Sequence, residues 1–229
     1  MEPLLKSKNL IMACHITGIY DVNRNTILPN DDYSLVKAWA DSIIDLKLRG
    51  VIFHNNFSQE TCLQYQNENI SFVKIDYEGP LNPNIYRYVV YDDYLQKHSQ
   101  SIENLFITDI SDVIVLQNPF VQTLYLENAI AIFCGDEPES ISNEWMQSHS
   151  THLRSKISSF AQYEKMFSNA TLLNCGIVGG SIIVMREFIE KLANIHRLYN
   201  YDNQTLYTGD MGGFNYLIHT VFNDRFFHG

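Results

Sequence analysis

Charge is scarce in this chain, and basic charge scarcer still. Only 18% of its 229 residues are Asp, Glu, Lys or Arg, and 16 basic side chains against 26 acidic ones leave a formal net charge of −10. Such a surface has no basic footprint for tracking a phosphate backbone, which argues against nucleic-acid partners and against anionic membrane surfaces. Long apolar runs are missing too. No stretch approaches the ~20 residues that span a bilayer as a helix, so no membrane span is expected. The opening "MEPLLKSKNLIMACHITG" has no basic segment, long apolar run and small-residue cleavage site in succession, so "NLIMACHI" reads as a strand and not as a secretory signal. Paired cysteines are absent as well. Cys14, Cys62, Cys134 and Cys175 stand singly, without CxxC or finger spacing, and three lie in apolar strand-like runs. Free buried thiols in a reducing compartment follow as the expectation, and with them a cytoplasmic protein. The sequons at Asn56 and Asn169 then carry no weight, because no secretory route is evident.

What is present is a hydrophobic fraction of 45% and an aromatic fraction of 13%, enough for one sizeable core and incompatible with disorder. No repeat or linker divides the chain, so residues 1–229 read as a single domain in which apolar runs alternate with helical patterns. Strands are expected at 9–16, 51–55, 70–77, 104–108 and 129–136, with "VIVLQ" (113–117) resuming extended structure. A further strand lies in "TLLNCGIVGGSIIVM". Helices are expected over about 33–49, capped by Asp31 or Asp32 and stopped by Gly50, and over "SQETCLQYQN" with Ser58 as cap. "NIYRYVVYDDYLQKH", "REFIEKLANIHRLY" and "GDMGGFNYLIHTVF" also carry helical periodicity. The stretch "EPESISNEWMQSHSTHLRSKISS" reads as polar and irregular. This alternation predicts βαβ units and an α/β fold with three layers around a mainly parallel central sheet.

In such sheets ligands bind beyond the carboxyl ends of the strands. Asp109 and Asp112 in "NLFITDISDVIVLQNPF" stand at that place. Two neighbouring carboxylates repel, and are tolerated when solvated or when a cation lies between them. Mg²⁺ or Mn²⁺ commonly takes one or two carboxylates plus substrate phosphates.

"LFITDISDVIVLQNPF" resembles the metal-binding segment of GT-A-fold glycosyltransferases, with two residues between the acids where one is commoner. "LLNCGIVGG" is similar to the N-x-G-x-x-G strand of that family. "TGDMGGFNYLI" resembles its D-Q-x-x-x-N helix start, with Met211 where glutamine is usual, and "FFHG" is placed like the family's late metal-binding histidine. The resemblance implies a three-layer Rossmann-like GT-A fold, with a nucleotide-binding half over about 1–120 and an acceptor and donor-sugar half over about 121–229. It implies transfer of a sugar from a nucleotide-diphosphate donor, a UDP-sugar foremost, to a glycan or glycoconjugate hydroxyl, with Mn²⁺ or Mg²⁺ as cofactor. Asp109, Asp112 and His228 become the expected metal ligands, and which of the two acids ligates directly is left open.

For donor contacts the resemblance points to Thr17, Asn55, Arg87, Asp109, Asn174 and Gly176. Asp210 and Glu137 are the expected catalytic groups, and Asp136 competes with Glu137 beside the acceptor. Each has a plainer alternative. Asp210 alone can cap a helix, Arg87 can pair with Asp92, Asp93 or another acid, and His228 can belong to a frayed tail. His149 and His152 have the i, i+3 spacing of a zinc pair, but no cysteine accompanies them. Two other functions compete with the transferase. One is a Mg²⁺-dependent phosphohydrolase on a doubly wound sheet, which "DISDV" does not match in spacing. The other is a non-catalytic nucleotide-sugar-binding module of the same fold.

Overall fold

The computed structural model describes residues 8–21, 24–77, 79–128, 130–203 and 208–229. Residues 1–7 of the stretch read above as lacking a secretory signal, and residue 129 at the start of an expected strand, lie outside them. In chain order the elements begin β1 (Asn9–His15), β2 (Tyr20–Asp21), β3 (Thr26–Ile27), α1 (Ser34–Asp45), β4 (Gly50–His54), α2 (Gln59–Tyr65) and β5 (Ile70–Lys74). Next come α3 (Pro83–His98), β6 (Asn104–Thr108), α4 (Thr123–Glu127) and β7 (Ile132–Ser140). The chain closes with α5 (Glu144–His149), α6 (Thr151–Lys156), α7 (Phe160–Met166), β8 (Thr171–Ser181), α8 (Ile182–Tyr199), α9 (Asp210–Val221) and β9 (Phe226–His228).

Two compact units result. The first takes Met1–Glu78 and His98–Ala129, the second Gly79–Lys97 and Ile130–Gly229. In the first, β5, β4, β1 and β6 lie side by side and all three pairings are parallel. Every residue of β4 is buried, as a strand covered on both faces must be. Helix α1 lays Val36, Trp39, Ala40 and Ile43 on this sheet, the apolar stripe its sequence predicts.

Gly50 does not stop that helix. The chain leaves α1 at Asp45 and turns through Lys47 in a left-handed conformation (φ 53°), while Gly50 opens β4. A β-carbon on Gly50 would stand 2.8 Å from the Trp39 ring and 3.1 Å from Ile70 Cδ1, so the glycine serves packing. Of the two expected caps Asp32 serves: its Oδ1 accepts from Ser34 N, the first amide of α1, at 3.0 Å, with Tyr33 between them already in helical conformation, whereas Asp31 Oδ1 accepts from Ser58 N at 2.7 Å. Ser58 caps α2 as expected, its hydroxyl accepting from Thr61 N at 3.1 Å.

The expected extension through "VIVLQ" is irregular chain instead. Val115 N donates to Ser42 Oγ at 3.1 Å and not to a neighbouring strand, and Leu116 is 86% exposed. Apolar composition alone does not make a strand without a partner in register.

In the second unit β7 pairs antiparallel with β8 and parallel with β9. Helix α8 buries Phe188 against Phe214 of α9, ring centroids 5.5 Å apart at a near-perpendicular angle. Two expectations fail here. The region expected to be irregular continues β7 through Ser140 and then forms α5 and α6, pinned by buried Met146 and Leu153. "IIVM" belongs to α8 and not to the strand before it, because Val184 and Met185 open that helix's buried stripe. Cys134 and Cys175 are buried, whereas Cys14 and Cys62 are only half-buried.

Candidate active site

At the carboxyl end of β6, Asp109 is half-buried, Ile110 is buried and Asp112 is exposed. Ile110 anchors the turn, so the two carboxylates flank a fixed apolar pin. Arg24, which the sequence reading missed, reaches this turn. Its guanidinium donates to Asp21 Oδ2 at 2.9 Å and to Ser111 Oγ at 2.6 Å, and lies 3.7 Å from Asp112 Oδ2. One arginine thus ties the β2–β3 hairpin to the segment carrying the acids. A lone basic residue in the polar "DVNRN" gave no signal of that.

Beyond β1 and β4, an amide network fixes the next loop. Thr17 N donates to Asn55 Oδ1 at 3.0 Å, and Asn55 Nδ2 donates back to Thr17 O at 2.9 Å. Asn56 Nδ2 also donates to Thr17 O, at 2.8 Å. Thr17 and Asn55 are therefore brought together, with the Asn55 amide holding the Thr17 backbone.

The second unit gathers its candidates in three sets. Arg87 of α3 is buried, and its guanidinium contacts the Tyr88 hydroxyl at 3.3 Å and both Cys175 O and Sγ at 3.5 Å. Asp92 and Asp93, the acids offered as its partners, instead bind Arg197 at 2.5 and 2.9 Å. Asp210 faces the same cysteine. Its Oδ2 lies 3.8 Å from Cys175 Sγ, and its Oδ1 accepts from the Thr208 hydroxyl at 2.5 Å. Asp210 is 8% exposed, and it opens α9 after left-handed Gly209 (φ 76°), where the helix dipole favours a negative charge.

In the second set, Asn174 Nδ2 donates to Glu137 Oε1 and Asn174 Oδ1 accepts from Gly176 N, both at 2.6 Å. In the third, His228 Nδ1 lies 3.0 Å from Asp136 Oδ2, and β9 pairs in register with β7, so the residue is not in a frayed tail. A carboxylate on one imidazole nitrogen is the arrangement that orients the other nitrogen in a metal-binding histidine.

Sequence reasoning also missed the role of Asn215. Fully buried on α9, it donates to Leu173 O and accepts from Leu173 N, both at 2.9 Å, fixing β8 against the helix that carries Asp210. Buried imidazoles surround the same region. Burial pushes His196 down to about 4, with the Asp210 carboxylate opposing and Arg87 adding to the shift. His149 is also lowered by burial, again against Asp210.

Among the described residues no three His, Cys, Asp or Glu side chains converge as a metal cage. A pair of carboxylates completed by substrate phosphates is nonetheless the kind of set Mg²⁺ or Mn²⁺ takes, and Asp109 with Asp112 supplies that chemistry. No helix among the described residues is long and apolar enough to cross a membrane.

No protein-family model matches the sequence, and no curated protein matches it. Solved structures do. The chain is similar to the galactosyltransferase LgtC in complex with donor and acceptor sugar analogs, at 14% identity and a TM-score of 0.50, over 90% of this chain and 69% of that one. An active-site mutant of LgtC matches at 13% identity with the same TM-score and coverage. The mainly parallel α/β architecture is thus a GT-A fold, and the structures it resembles are those of a glycosyltransferase.

Proposed function

We propose that this protein is a glycosyltransferase that moves a sugar from a nucleotide-diphosphate donor, a UDP-sugar, to a hydroxyl of a glycan or glycoconjugate. The observation that carries the reading is the placement of Asp109 and Asp112 on either side of buried Ile110, directly beyond β6 of a GT-A fold. Transfer breaks the bond between the anomeric carbon and the diphosphate oxygen and forms one to the acceptor oxygen, with the acceptor proton passing to a base. Asp109 and Asp112 would hold Mn²⁺ or Mg²⁺, with His228 as a further candidate ligand. When bound, such an ion neutralises the charge that develops on the diphosphate.

The chain's own residues do the rest. Thr17 meets the nucleotide, and Asn55 keeps the Thr17 backbone in place. Arg87 supplies a fixed positive charge beside Cys175, suited to a donor oxygen. Asp210, buried and bonded to Thr208, accepts a sugar hydroxyl. Glu137, held by Asn174, serves on the acceptor side as proton acceptor, with Gly176 leaving room for the sugar. The supporting argument is chemical: a protein of net charge −10 binds an anionic diphosphate best when the ion brings the positive charge.

Calorimetric titration of UDP in the presence of Mn²⁺ tests this. The wild type binds, and Asp112→Ala loses Mn²⁺-dependent binding while its melting temperature stays within a few degrees. Equal binding by the variant would sink the assignment.

A further inference from the structure

Trp145 is an unusual surface tryptophan. It is 48% exposed on α5, yet its indole packs on the imidazole of His149 one turn later, with centroids 3.8 Å apart and 32° between the planes. Singly exposed apolar side chains are ordinary and need no explanation. This one is held in place from beneath. His149 is buried, and its carbonyl oxygen lies 3.7 Å from where a side chain on Gly209 would begin, next to Asp210. Ser150 Oγ comes within 3.2 Å of the same point on Gly212, so the α5–α6 junction is in close contact with the start of α9.

The start of α5 is equally fixed. Asn143 Oδ1 accepts from Trp145 N at 2.8 Å and from Met146 N at 3.3 Å, and its amide donates to Glu139 Oε2 at 2.9 Å. Gln147 Nε2 donates to Ile141 O at 3.1 Å. The indole therefore sits on a braced element, and little freedom is left to lose when a ligand covers it.

We propose that the exposed face of Trp145, backed by His149, is a stacking subsite for a pyranose ring of the acceptor glycan. The proposal rests on the glycosyltransferase reading and adds to it the place where the acceptor docks. A pyranose ring presents a face of C–H groups, apolar and slightly positive, which matches the negative face of an indole. Its rim presents hydroxyl donors, and the exposed carboxylates of Glu139 and Glu144 are acceptors that make charge-assisted bonds to them. Asp210, which follows the Gly209 that lies against the His149 carbonyl, is the group assigned above to a sugar hydroxyl.

The test begins with the full chain, labelled, on an array of mono- to tetrasaccharides, and continues with emission titrations of any glycan retained. Trp39 is the protein's other tryptophan and is fully buried, so ligand-dependent changes in emission report Trp145. The wild type is expected to retain at least one class of glycan and to show a shift in emission. Trp145→Ala should bind that glycan at least tenfold more weakly, Trp145→Phe should keep most of the affinity, and raised salt should change neither. No glycan retained by the wild type, equal retention by Trp145→Ala, or loss of binding in raised salt as for a cationic ligand, would overturn the proposal. Acceptor-free release of UDP from a UDP-sugar separates the two readings. It should be unchanged in Trp145→Ala, and its absence from the wild type beside Trp145-dependent glycan binding would leave the subsite standing and the transferase reading refuted.

Discussion

The Trp39 indole nitrogen donates to the Thr108 hydroxyl at 2.8 Å, joining the middle of α1 to the last residue of β6. Both residues are buried, and Asp109 is the next residue in the chain. The position of the proposed metal-binding acid is thus set by a bond inside the core, and not by the exposed turn itself. Trp39→Phe keeps most of the packing but strands the Thr108 hydroxyl, which should cost about 1–3 kcal/mol in urea unfolding. Gly50→Ala should cost a similar ~1–3 kcal/mol by a different route, since it overpacks the same indole. Stability unchanged in both would contradict this account of the first unit's core.

Two asparagines make the same two-point bond in different surroundings, which gives a comparison. Asn55 is itself half-buried, and the Thr17 carbonyl it bonds keeps a second donor in Asn56 at 2.8 Å, whereas Asn215 bonds Leu173 in full burial. Asn55→Ala should cost about 1 kcal/mol, and Asn215→Ala roughly 3 kcal/mol or more, because Leu173 N and O are then stranded. Equal costs would mean that burial does not govern these bonds.

How much of this was legible in the sequence follows from what each residue needs. The apolar runs of β1, β4 and β6, the stripe of α1 and the Ser58 cap depend on neighbours close in the chain, and all were readable. "VIVLQ" has strand composition, but its backbone meets Ser42 instead of a partner strand, a long-range fact that no local pattern carries. Gly50 was read as a helix stop because the Trp39 ring above it is invisible in sequence. In α5 and α6 a single buried apolar residue per short helix, Met146 or Leu153, gives too little periodicity to register. The Asp109–Asp112 turn was located by its flanks and Asn215 by the helix-start motif, while Arg24 was missed and Asn215 was given no role because each acts on a partner tens of residues away.

Acid should destabilise the protein in a predictable window. Buried His196 titrates near 4 in the folded chain and near 6.5 when unfolded, so the unfolded state binds the proton first as pH falls. Its contribution is complete above about pH 6.5 and is lost progressively down to about pH 4, with a total on the order of 3 kcal/mol. Urea midpoints measured from pH 7.5 to 5 should therefore fall in the wild type and fall less steeply in His196→Gln. Parallel profiles would exclude His196 as a source of the loss.

Asp210 is held by the Thr208 hydroxyl and the Cys175 thiol, so replacing it tests chemistry more than folding. Asp210→Asn should lower sugar transfer by roughly 100-fold while the melting temperature moves by only a few degrees. Transfer at the wild-type rate would remove Asp210 from the proposed machinery.

Binding of a nucleotide sugar through a divalent ion is read out by thermal-shift measurement with a panel of nucleotide sugars, each with and without Mn²⁺, since a ligand that binds only the folded state raises the melting temperature. A UDP-sugar and Mn²⁺ together should produce a rise that neither produces alone. A melting temperature indifferent to every such pair would contradict that mode of binding.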